Sequence, residues 1–120
     1  IVPPEGEIDY PIGRMPHSII GRQIASEGRP ARTFYSTWKT FSAFTLLKIR
    51  PQTGRTHQIR VHLSALGFPL IGDWLYGKEE PELIARPALH SHRLRFRHPL
   101  SQEWIEIQAP IPEDMEKLLV

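Results

Sequence analysis

Residues 33–66 constrain the fold more than any other part of this chain, because one short turn joins two alternating stretches to a helical stripe. Thr33 to Phe41 alternates and is rich in β-formers (Phe34, Tyr35, Thr37, Trp38, Phe41), and Phe44 to Ile49 repeats the pattern. With Ser42-Ala43 between them, the pair is expected to be an antiparallel hairpin. Pro51 cannot donate to a ladder, so Arg50-Pro51 ends the second strand. Pro51-Gln52-Thr53-Gly54 is a turn, and Thr56 to Leu66 then places Ile59, Leu63 and Leu66 on one helical face. Gly67 is the expected stop.

Further along, Phe68 to Asp73 is an apolar loop or short strand closed by a turn at Tyr76-Gly77, and Glu80 to Ala85 is expected as a short helix. Leu89 to Phe96 and Trp104 to Gln108 are two more strands around a turn at His98 to Ser101. Pro112 to Leu119 ends the chain as a helix, with Pro in its first turn and acids following. Residues 1–30, rich in Pro, Gly and Arg, are expected to be an extended lead-in with room for one edge strand. This order predicts an α+β domain with a largely antiparallel mixed sheet and flanking helices.

A length of 120 residues allows one domain at most. No cysteine is present, which excludes disulfides and thiolate metal sites and fits a reducing, cytoplasmic setting. No apolar run approaches membrane-spanning length. Ile1-Val-Pro-Pro-Glu-Gly-Glu is not a signal peptide and carries no initiator Met, so an excised or processed segment is expected. The net charge is only +2, yet its placement is uneven. Lys48, Arg50, Arg55 and Arg60 gather in one stretch and Arg93, Arg95 and Arg97 in another, with His57, His62, His90, His92 and His98 nearby. Acids sit at Glu79, Glu80, Glu82 and in the tail at Glu113, Asp114, Glu116. Such polarity suits a face that meets nucleic acid, or a solvated basic surface.

The stretch Arg50-Pro-Gln-Thr-Gly-Arg-Thr-His-Gln-Ile-Arg-Val-His-Leu-Ser-Ala-Leu-Gly67 carries the most chemistry. A strand feeding a glycine turn that opens into a helix brings free backbone N–H groups, Arg55, His57 and Gln58 to one place, with Arg60 a turn further on. That site suits a phosphate or a polar base edge. A solvated surface helix accounts for the same residues. A DNA recognition helix fits less well, since no helix precedes it.

Pro51-Gln-Thr-Gly-Arg-Thr-His-Gln-Ile-Arg-Val-His-Leu63, followed by Gly67, Pro69, Ile71-Gly72-Asp73 and Tyr76-Gly77, resembles the signature of the RluA-type pseudouridine synthases. Leu89-His90-Ser91, Leu94, Phe96, His98-Pro99, Ala109-Pro110 and Pro112 resemble later elements of that family. Gly6 to Ile12 and Gly28 to Tyr35 resemble earlier ones, so the likeness covers nearly the whole chain, as the C-terminal half of the catalytic domain.

The resemblance implies isomerisation of uridine to pseudouridine in ribosomal or transfer RNA, with no cofactor and no metal. It implies a catalytic aspartate in a His-Arg-Leu-Asp motif, which does not occur in these residues, and a base-packing tyrosine in the same absent half. Arg60 matches the basic partner of that aspartate and is expected to have no carboxylate to hold here. Arg55 suits an RNA phosphate, and Thr56, His57, Gln58, Tyr76, Leu89 and His90 are the other implied substrate contacts. Asp9 is expected as a strand-end residue and Asp73 as a turn residue, neither catalytic.

His57 and His62 lie off a common helical face and His90 and His92 share a strand face, a poor basis for zinc, which wants three or four supported ligands. His90 and His98 are expected in structural hydrogen bonds, and Trp38 and Trp104 in the core. Two functions remain open. One is part of an RNA-modifying enzyme, inactive by itself and needing the absent N-terminal half. The other is a non-catalytic RNA-binding module. An isolated half-domain is also expected to self-associate through exposed strand edges. No membrane partner is expected.

Overall fold

The computed structural model describes residues 5–16, 18, 20–41 and 43–119. The expected lead-in residues 1–4 and Ser42 of the hairpin connection lie outside the described residues. Seven strands, two short helices and a terminal 3₁₀ turn follow in order: β1 (Glu5–Asp9), β2 (Ile12–Arg14), β3 (Arg22–Ile24), β4 (Arg32–Thr40), β5 (Thr45–Pro51), α1 (Gln58–Ala65), β6 (Arg93–Arg97), β7 (Trp104–Gln108) and α2 (Glu113–Glu116), with the 3₁₀ turn at Lys117–Leu119. The fold is α+β and every strand pair is antiparallel. No helix among the described residues is long and apolar enough to cross a membrane.

The expected hairpin is β4–β5, in register from Thr33 opposite Pro51 to Thr37 opposite Leu47. Trp38 is the extra residue of a bulge, because Lys39 then pairs with Leu46. β1 adds to the other edge of β4, giving the sheet order β1-β4-β5. Alternation decides what faces inward: Ile8 on β1 and Tyr35 on β4 are buried together with Leu63 of α1, and Leu47, Ile49, Ile59, Leu66 and Leu70 pack around them. Ile59, Leu63 and Leu66 therefore face the sheet, as their three- and four-residue spacing predicts. Full burial of a side chain such as Leu63 stabilises by about 1.5–3 kcal/mol, and the partly buried Ile59 and Leu66 contribute less.

α1 begins two residues later than the expected Thr56 because His57 is left-handed, at φ 57° and ψ 20°, and so cannot be a helical residue. Gly67, at φ 97°, ends it as expected.

Several expectations need correction. The described part of residues 1–30 holds three strands where one was expected. β2 and β3 pair with each other, and Ile12, Ala31 and Val61 of α1 form a second small core with Tyr76 against it. Glu80 to Ala85 is not a helix: the Glu80 carbonyl accepts from Leu83 and Ile84 N–H, one turn forms, and Ile84 then bridges back to Glu80. A segment this short lacks the length to propagate a helix. Trp38 and Trp104 are not core residues but 47% and 56% exposed. Each indole instead lies under cations, Trp38 under Lys48 and Trp104 under Arg95 and Arg97. The strand begun at Leu89 starts only at Arg93, and the terminal helix divides into α2 and the 3₁₀ turn.

Helix and sheet are also locked by a polar chain. The buried Gln58 donates to Thr33 Oγ1 at 2.9 Å, and the Thr33 hydroxyl lies 2.8 Å from His62 Nδ1. Having accepted from Gln58, the hydroxyl turns its own proton to Nδ1. His62 Nε2 then carries the ring proton and donates to the Tyr10 carbonyl at 2.9 Å. His62 is fully buried and neutral. Burial depresses its pKa below the ordinary 6.5, outweighing the upward pull of the Tyr10 carbonyl and Asp9. The unfolded chain thus binds the extra proton, so this stability is complete above about pH 6.5 and is lost as pH falls below it. The unfolding midpoint should drop as pH falls below about 6.5. A His62→Asn variant should show a shallower drop, and equal slopes for the two proteins would count against the assignment.

Candidate active site

The turn after β5 is built around Gln58. Its amide oxygen accepts from Thr53 Oγ1 at 2.6 Å and from Arg55 N–H at 3.1 Å. Its amide nitrogen donates to the Arg32 carbonyl at 2.8 Å as well as to Thr33. Arg32 N–H in turn donates to Thr53 Oγ1 at 3.0 Å. With both ends committed, Gln58 braces the turn and is not free to read a base, as the sequence had suggested. Arg55 is tethered by its Nε to the Pro30 carbonyl at 2.8 Å, and its terminal nitrogens have no hydrogen-bond partner among the described residues.

One face of α1 meets the sheet. The other, at positions 60 and 64 and continued by His57 just before the helix, meets the loop after Gly72. Ser64 Oγ donates to the Tyr76 carbonyl at 2.7 Å. Tyr76 Oη accepts from Arg22 N–H at 2.9 Å and lies 2.6 Å from His57 Nδ1. Two arrangements satisfy this contact: Tyr76 donates to Nδ1 of a ring protonated on Nε2, or Nδ1–H donates to the phenol oxygen, which can accept from both Arg22 and His57. Burial pushes the His57 pKa down, the Arg60 and Arg22 charges push the same way, and Asp73 opposes them.

Arg60 is where the structure overturns the expectation of an unpaired cation. It holds Asp73 by a two-point fork, Nη2 to Oδ1 at 2.8 Å and Nε to Oδ2 at 3.1 Å. Asp73 is fully buried and also accepts from the N–H groups of Leu75 and Tyr76, both at 3.2 Å. Burial alone would raise its pKa. The Arg60 hydrogen bonds, then Tyr76 N–H, the Arg60 charge and Leu75 N–H outweigh it, and the carboxyl falls below its ordinary value. Asp73 is thus the turn residue the sequence indicated and also the partner of Arg60. Nothing local in the sequence reveals that pairing, because it spans 13 residues and depends on Gly72 bending the loop back onto α1.

The guanidinium also lies over Tyr76, 5.1 Å from the ring centre, and 5.9 Å from that of Trp74, a half-exposed aromatic that the sequence reading passed over. Arg60 makes no other hydrogen bond among the described residues, and no fully buried side-chain nitrogen there lacks a partner, so Nη1 is unpartnered there and not fully buried. The Nη1/Nη2 edge of the fork stays available.

Arg55, His57, Gln58, Arg60 and Leu89 line one cleft of about 330 Å³, together with residues of the turn. Tyr76 reaches it through His57 and Arg60. Thr56 is exposed on the turn but outside that lining. His90 and His92 do not enter it; both ring nitrogens reach the Ala109 carbonyl, at 3.1 and 2.6 Å. His98 accepts from Leu100 and Ser101 N–H in its turn. His90 and His98 are thus held in structural hydrogen bonds, as expected.

A family model described as RNA pseudouridylate synthase matches residues 1–65, over half of the sequence, and the chain belongs to that family. It is 50% identical over 96% of its length to the uncharacterized RNA pseudouridine synthase YjbO of Bacillus subtilis, covering 40% of that protein. It is 42% identical over 96% of its length to ribosomal large subunit pseudouridine synthase D of Nitrosomonas europaea, covering 36% of it. The chain therefore spans about two fifths of the length of these curated relatives. The solved structure of human RNA pseudouridylate synthase domain containing 1 superposes with a TM-score of 0.71 at 32% identity, over 92% of this chain and 49% of that one. The RluA-type signature agrees with these relatives.

Proposed function

We propose that the full-length protein isomerises uridine to pseudouridine in ribosomal or transfer RNA. In this reading the chain forms the basic, C-terminal half of the catalytic domain, and the nucleophilic aspartate comes from outside these 120 residues. The observation that carries it is the state of Arg60. One edge of its fork is fixed by a buried carboxylate, the other has no partner among the described residues, and Arg60 is one of the residues lining the cleft. A guanidinium so held takes a second carboxylate at the open edge, keeps it ionised and aims it. An attacking aspartate needs both.

The reaction breaks the N1–C1′ glycosidic bond and makes a C5–C1′ bond; C5 loses its proton and N1 gains one. No cofactor or metal enters that balance. Arg55 takes a phosphate of the bound strand with its terminal nitrogens, and the exposed Thr56 lies beside it. His57, in the arrangement protonated on Nε2, offers that N–H to a uracil carbonyl or phosphate oxygen. Leu89 packs against the base. Gln58 and Tyr76 act by bracing these groups, and His90 stays with the Ala109 carbonyl. Ribosomal and transfer RNA place this work in the cytoplasm.

Because C5 gives up its hydrogen, tritium at C5 of uridine is released to water on conversion. Full-length protein should release it from ribosomal or transfer RNA. The 120-residue chain alone should release none, lacking the aspartate. Release by the chain alone refutes the division of labour. RNA binding by the full-length protein without release supports the non-catalytic module instead.

A further inference from the structure

The β6–β7 hairpin carries a second cluster of cations that the cleft does not use. Arg93, Arg95 and Arg97 alternate along β6, and their cross-strand partners are Gln108, Glu106 and Trp104. All six share one face of the hairpin, and all are exposed. Leu94, Phe96, Ile105 and Ile107 form the other face.

The three arginines are not equivalent. Arg93 is taken by Glu106, Nε to Oε1 at 2.9 Å. Arg95 and Arg97 make no ion pair among the described residues. Both guanidinium groups sit on Trp104, 4.7 and 5.1 Å from the ring centre. Stacking on an indole fixes the guanidinium plane and leaves its N–H edges unspent. The ring, already carrying two cations, is poorly placed to stack a base. Unpartnered guanidinium N–H groups are what a phosphate oxygen accepts from. Alternate residues on a strand stand about 6.7 Å apart, comparable with successive phosphates of a nucleic-acid strand.

We propose that this arginine face is a second RNA-binding surface, one that grips the phosphodiester backbone outside the cleft lined by Arg55, His57 and Arg60. The proposal rests on RNA being the substrate, and it adds to that reading a contact that positions RNA without reading sequence. Each neutralised phosphate releases counterion, so the contact shows in the salt dependence of binding.

The test uses full-length protein and ribosomal RNA, titrated at several salt concentrations. R95Q/R97Q removes two positive charges; K117E, on the exposed 3₁₀ turn outside the hairpin, changes the net charge by the same amount. R95Q/R97Q is expected to bind about tenfold more weakly and to lower the slope of log affinity against log salt by about 1.4–1.8, two phosphates' worth. K117E should stay within about twofold of wild type, as a charge away from the contact surface does. Wild-type affinity and slope for R95Q/R97Q would mean that the arginines serve another polyanion, such as an acidic protein surface, and overturn the proposal. An equal loss in K117E would reduce it to net charge and overturn it too. Tritium release in the same preparations keeps the two readings apart. Conversion by wild type with unchanged binding by R95Q/R97Q sinks the hairpin surface alone, whereas no conversion by wild type sinks the enzymatic reading.

Discussion

Arg60→Ala is expected to destabilise the protein by on the order of 3 kcal/mol, because it strands the buried Asp73 carboxylate with only two backbone N–H donors. The penalty belongs to the charge left behind rather than to the strength of the pair. Arg60→Met combined with Asp73→Asn removes both charges and should recover most of the loss. Urea unfolding of the two variants and wild type measures this directly. If Arg60→Ala unfolds at the wild-type midpoint, the pair is not the support described. One consequence concerns kinetics: a fall in turnover on Arg60→Ala mixes lost chemistry with lost folding, and a variant that keeps the cation is the cleaner probe.

Gly72→Ala should do comparable damage from the other side of the same pair. Gly72 lies at φ 79°, where a residue with a Cβ is strained by about 1–2 kcal/mol. The added carbon would run into the Arg86 carbonyl oxygen and stand 2.8 Å from Ile84 Cγ2. A flexible side chain can yield, but a carbonyl held in the backbone cannot. This approach is reinforced by the Ala88 N–H to Ile71 carbonyl bond at 2.8 Å. The loop must move outward and carry Asp73 with it, so stability and turnover should fall together. A Gly72→Ala protein that melts within about 1 °C of wild type and turns over normally would show that the loop tolerates a side chain there.

The parts of the fold legible in the sequence are those whose periodicity is long enough to be self-evident. β4, β5 and α1 each carry several repeats of their own period, and β7 matches the expected Trp104–Gln108. β2 and β3, at three residues each, carry too little periodicity to announce themselves. They are held by Tyr76 and by α1 packing, contacts made only after the chain has folded. Glu80 to Ala85 has helix-forming composition but not the length. Trp38 and Trp104 were misplaced because aromatic content implies burial only where no cation covers the ring.

The candidate site divides in the same way. The strand, glycine turn and helix put Arg55, His57 and Arg60 within one motif, so their gathering at a cleft was readable. Gln58 was readable as present but not as spent, since its four partners are scattered over residues 32 to 55. Asp73 was readable as a turn residue, yet its grip on Arg60 exists only because α1 and the following loop lie side by side.

The central claim is that Arg60, fixed by Asp73, presents its open edge to a catalytic carboxylate. The most direct measurement is the single-turnover rate of Arg60→Lys in full-length protein at saturating RNA, followed by tritium release from C5-labelled uridine. Lysine preserves the charge and much of the support for Asp73 but cannot bridge two carboxylates with a planar fork. The account predicts a rate lower by about a hundredfold or more, the scale of a misplaced catalytic group, with RNA affinity near wild type. A wild-type rate for Arg60→Lys would contradict it.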